Sequence, residues 1–182
     1  MLNYRRHFIL LLAAAAGLAA AGRIMGVPAS GGSWSAAAIA SEFALYGALH
    51  ALALVSSLKA RRSLGRRVAF VVVATALSLS TASLSLSLLH RTWGVRSALP
   101  ILIAAAALGA LAYAGTIRRL LELSLAPRTA VLTSAACAAA VAAAYPWVKH
   151  HPSGLGLAIP WWLAFSGALW LRDARRAPTA RT

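Results

Sequence analysis

The chain has 182 residues, 60% hydrophobic and only 12% charged, with a mean hydropathy of +0.74. A soluble domain is roughly 45–50% apolar and about 25% charged. Three acids, Glu42, Glu122 and Asp173, stand against 18 lysines and arginines, a formal charge of +15, but long uncharged apolar runs separate the basic residues. That pattern excludes a nucleic-acid-binding globule and leaves an integral membrane protein.

One helical crossing takes roughly 20 residues, and the apolar stretches predict an all-α polytopic transmembrane bundle of six helices at about 8–27, 35–58, 68–89, 98–117, 129–148 and 154–171. A basic tail, 172–182, follows. With the N-terminus in the cytoplasm, fourteen basic residues (Arg5, Arg6, Lys59, Arg61, Arg62, Arg66, Arg67, Arg118, Arg119, Arg128, Arg172, Arg175, Arg176, Arg181) fall on the inner side. Four fall outside: Arg23, Arg91, Arg96 and Lys149. This positive-inside bias predicts both termini in the cytoplasm of a multi-pass protein of a bacterial inner membrane. The inner rim should also attract anionic lipid headgroups.

The first segment opens with Arg5 and Arg6, and with Ala19, Ala20 and Ala21 it also resembles a cleavable signal peptide. Its Ala13, Gly17 and Ala21 form a small-xxx-small ridge suited to close helix contact. In the second segment Glu42, Tyr46 and His50 recur at i, i+4 and i+8 and share one helical face, extended by Ser35 and Ser57. An ionisable group in hydrocarbon is costly unless paired or hydrated, so this face must look into the bundle or a wet cavity. Arg23 reaches a similar depth on the first helix and is the expected ion-pair partner of Glu42. Unpaired, Glu42 would be a proton or cation site, with His50 as its second station.

The third segment places Thr75, Ser78, Thr81 and Ser85 on one side and Ser80, Ser83 and Ser87 on the other, which predicts a central helix packed on both faces. The fifth is smooth with alanine and holds Cys137, read as a small packing residue. In the sixth, Pro160 predicts either a late start or a kink. Trp34, Trp93, Trp147, Trp161 and Trp162 fall near outer helix ends, as an aromatic belt does, and Trp170 near an inner one. Basic or Pro-Arg pairs recur 61 residues apart, at Arg5, Arg66 and Pro127, a spacing that equal hairpin lengths also produce.

His90, His150 and His151 gather near the outer surface, where an interfacial role is expected; no metal site and no cofactor are predicted. His151-Pro152 ahead of a glycine-bearing helix resembles a fragment of the membrane isoprenylcysteine methyltransferase pattern. His150, however, stands where that family has arginine, and no residue is carried over. The size, the six helices and the alanine-rich first helix are similar in architecture to the substrate-binding membrane components of energy-coupling-factor vitamin transporters. Three functions are open. The first is an accessory or assembly subunit of a larger membrane complex, with other membrane subunits or copies of itself as partners. The second is a small permease or substrate-binding transport component with its polar site on helix 2. The third is a membrane enzyme using Glu42, Tyr46 and His50.

Overall fold

A computed structural model describes residues 2–24, 36–58, 63–91, 98–123, 125–150 and 154–176, with the helix-end positions 21–24, 36–38, 90–91, 149–150, 154 and 174–176 as backbone only. The described chain is all-helical: α1 (Tyr4–Ile24), α2 (Ala36–Ser56), α3 (Leu64–Arg91), α4 (Leu99–Leu120), α5 (Pro127–His150) and α6 (Gly154–Arg176). Several helices run past the apolar stretches that announce them: α3 takes in Arg66 and Arg67, and α6 ends at Arg176. Backbone hydrogen bonding need not stop where hydrocarbon stops, and basic side chains at a helix end can reach headgroups or water. Over their described residues α2, α3, α4 and α5 are long and apolar enough to cross a membrane.

Successive helices pack as antiparallel neighbours from α2 through α6, and α1 lies against α2 and α6. The start of α1 is fastened to the end of α2 by the Asn3 N–H donating to the Ser57 carbonyl at 2.8 Å. It is fastened to the end of α6 by the Tyr4 hydroxyl, 2.9 Å from the Leu169 carbonyl and 2.8 Å from Asp173 Oδ2. The start of α3 meets the end of α4 through an Arg66–Glu122 ion pair. One end of the bundle therefore collects Arg5, Arg6, Arg66, Arg67, Arg118, Arg119, Arg128 and Arg172, residues that charge sorting placed in one group.

The core is a ring of elements around a filled centre. Phe70 of α3, Tyr113 and Ile117 of α4, Cys137 of α5 and Phe165 of α6 are buried together with Leu54 of α2. Cys137 is a packing residue, fully buried with Sγ 3.8 Å from the Trp161 carbonyl.

Two expectations about side-chain placement change. α3 does pack between α2 and α4, but through one hydroxyl face only. Ser78 approaches Gly47 of α2, Thr81 approaches Gly109 of α4, and Ser85 is buried. Ser80, Ser83 and Ser87 are exposed, and Ser87 donates to the Ser83 carbonyl of its own helix, which lets a hydroxyl tolerate an apolar environment. Trp161 and Trp162 are not belt residues. α6 runs through Pro160 from Gly154, so both indoles sit two turns inside the helix and pack inward. Among the described tryptophans, Trp147 and Trp170 are the exposed ones, at 56% and 49%, and Trp34 and Trp93 lie outside the described residues.

Candidate functional site

Glu42, Tyr46 and His50 lie along one face of α2, and that face is turned inward: Tyr46 and His50 are buried and Glu42 is half-buried. The three do not converge on one point. The Tyr46 hydroxyl donates to Glu42 Oε1 one turn earlier. His50 belongs to a second group, and the Trp162 ring stands between the two, 6.1 Å from Tyr46 edge-on and 6.1 Å from His50 nearly stacked. Glu42 thus has a partner within its own helix. The Arg23 side chain, its expected partner, lies outside the described residues, as do Ser35, the side chains of Ala21, His90 and His150, and His151.

The second group is where α1, α2, α4 and α6 meet. The fully buried His50 ring has Nδ1 2.9 Å from the Tyr113 hydroxyl and Nε2 3.4 Å from Ser166 Oγ. The same Ser166 oxygen lies 2.8 Å from Nε2 of His7, also fully buried. The two imidazole centroids are 5.6 Å apart. Trp161 and Phe165 close the remaining sides of His50 at 5.6 and 5.7 Å. Each contributor is placed by elementary helix geometry. Phe165 and Ser166 follow Trp161 and Trp162 by one turn, so α6 presents a double row of inward residues. His7 is one turn beyond Tyr4, whose bonds to α6 hold the start of α1 in place.

A serine hydroxyl between two imidazole nitrogens has one hydrogen to give and lone pairs to accept with, so it can take a hydrogen bond from one ring while giving one to the other. Nucleophilic catalysis needs more: a third group to orient the base, and access for a substrate. Among the described residues no carboxylate touches either histidine, and Ser166 is fully buried. Proton exchange between the rings needs neither.

His7, Tyr113 and Ser166 are not among the sequence candidates. His7 is hidden between Arg6 and Phe8 in what reads as a charged leader, although its spacing from Tyr4 continues the helix. Tyr113 and Ser166 are hydroxyls in otherwise apolar runs, a signal that by itself does not say which neighbour they face. Of the packing candidates, Ser78, Thr81 and Ser85 sit at the α3 contacts described above. Ala13 and Gly17 are exposed, and a side chain added at Gly17 would meet nothing within 4 Å. No protein family, no curated protein and no solved structure matches the chain. Over the described residues the structure is all-helical, with six helices of which four are long and apolar enough to cross a membrane.

Proposed function

We propose that the chain is a small multi-pass membrane transport component that passes protons along a buried histidine relay. The observation that carries this reading is the Ser166 hydroxyl bridging His7 and His50, with Tyr113 on the far nitrogen of His50. Histidine is the side chain whose charge changes most readily near neutral pH, and two such rings sharing one hydroxyl form a hydrogen-bonded wire. A proton on His7 Nε2 moves to Ser166 Oγ as the serine hydrogen moves to His50 Nε2. Serine ends neutral and the charge has crossed from α1 to α2. The aromatic packing around His50 favours a proton over any larger cargo, because a proton requires bonded groups and not an open chamber. The Glu42–Tyr46 pair lies further along α2 on the other side of the Trp162 ring and is not part of this wire.

The test is proton entry into proteoliposomes carrying an internal pH-sensitive dye, driven by a potassium diffusion potential. His50→Gln and His7→Gln should each slow acidification roughly a hundred-fold, the scale on which a positioned proton carrier contributes. Tyr113→Phe, which removes a partner but not the wire, should retain most of the flux. A His50→Gln protein that conducts like the unaltered chain refutes the relay.

A second reading is an accessory or assembly subunit of a larger membrane complex. It is favoured by the small residues Ala13 and Gly17, which the bundle leaves on its outside. Small residues let helix backbones approach closely in lipid, and none of the described helices occupies that face.

A further inference from the structure

We propose that the groove between the basic ends of α5 and α6 is a binding site for one acidic phospholipid, its phosphodiester between Arg128 and Arg172 and an acyl chain along Leu132, Ala136 and Ala168. The groove has a volume of about 450 Å³ and is lined by these residues and Thr129. It stands apart from the histidine relay and does not depend on it.

Its shape follows from residue size. Ala136 of α5 and Ala168 of α6 are small where two helices lie side by side, so a furrow is left between them. Leu132 and Leu171 form its lips, 56% and 51% exposed. From Arg128 to Ala136 is eight residues, about 12 Å along the helix, so the furrow runs from the charged rim well into the apolar zone. A headgroup with an attached chain has this combination of ends; a soluble anion has only one of them.

Charge selects the ligand. Arg128 is exposed and makes no hydrogen bond or ion pair among the described residues. Arg172 approaches Asp173, Nε to Oδ1 at 3.2 Å, and Asp173 also accepts from Tyr4. Two guanidinium charges against one carboxylate leave +1 at the rim of the groove. One phosphodiester neutralises it, whereas a zwitterionic headgroup brings its own cation. Arginine suits the role because its planar fork engages two phosphate oxygens at once.

The experiment uses the full chain in nanodiscs of phosphatidylcholine with a minor fraction of phosphatidylglycerol, and native mass spectrometry to count retained lipid. The unaltered chain should keep one phosphatidylglycerol in preference to phosphatidylcholine. Arg128→Gln should weaken retention about five-fold, corresponding to about 1 kcal/mol for one basic contact. Arg118→Gln removes the same charge from the same rim outside the groove and should change it less than two-fold. Ala168→Phe fills the furrow without touching charge and should abolish retention. Equal loss in the Arg118 and Arg128 variants, no preference for phosphatidylglycerol, undiminished retention in Ala168→Phe, or displacement of the lipid by millimolar sn-glycerol 3-phosphate would each overturn the proposal.

Discussion

At Gly47 a methyl group would fall 2.5 Å from Ser78 Cβ and 3.3 Å from the Ala74 carbonyl of the neighbouring helix. Neither atom is the far end of a flexible chain, so α2 and α3 would have to separate. Gly47→Ala should destabilise the protein by about 1–3 kcal/mol, the range for inserting a methyl into a close-packed contact, read as a lower Tm in detergent. Ser78→Gly in the same chain should restore most of the loss. Gly17→Ala and Gly115→Ala, where an added carbon meets nothing within 4 Å, should be neutral or stabilise by up to about 1 kcal/mol through helix propensity. The sequence signals Ser78 as a packing residue because small hydroxyls mark helix contacts, but Gly47 carries no such signal. A glycine in an apolar helix reads alike whether it faces lipid or a backbone.

Among the elements, α1 shows best how a local reading is completed by its neighbours. Its apolar run begins at Phe8, yet the helix starts at Tyr4, because Tyr4 finds acceptors at the end of α6 and Asn3 one at the end of α2. Burial first, and then the hydrogen bond to Asp173, hold the Tyr4 hydroxyl above its ordinary pKa of 10.0. A pKa raised on folding stabilises the fold below the unfolded-state value and loses that contribution as pH climbs through the folded one. Tyr4→Phe should therefore cost about 1 kcal/mol by a constant amount from pH 6 to pH 9. The gap should narrow only above pH 10. A difference that already varies between pH 6 and pH 8 would place the titrating group elsewhere. α3 and α6 carry the converse lesson. The hydroxyl alternation of α3 resolves correctly into two faces on a helical wheel, but which face is buried depends on where α2 and α4 stand. The tryptophans of α6 follow a belt pattern only while the helix is taken to begin near Pro160.

For the molecule as a whole, the surface that the bundle leaves uncovered bears on whether it works alone. If the exposed α1 ridge seats another helix, Gly17→Leu should shift the protein in mild detergent from a complex to a monomer, seen by size-exclusion chromatography with light scattering. Its Tm should change by no more than a degree or two, since Gly17 supports nothing inside the bundle. A Gly17→Leu chain with the same mass as the unaltered one would remove the support for the assembly reading.

Composition and the order of apolar and basic segments determined the all-helical class, the six helices of the described chain and the grouping of its described basic residues at one end of the bundle. These are consequences of local hydropathy and chain alternation, and they need no knowledge of neighbours. The same logic put Glu42, Tyr46 and His50 on one inward face of α2. Only the tertiary structure decided that Glu42 and Tyr46 pair with each other while His50 joins His7, Tyr113 and Ser166. Those residues come from helices separated by up to 159 positions in the chain, and which polar side chains meet in an apolar interior depends on helix rotation and depth, set by packing across the whole bundle.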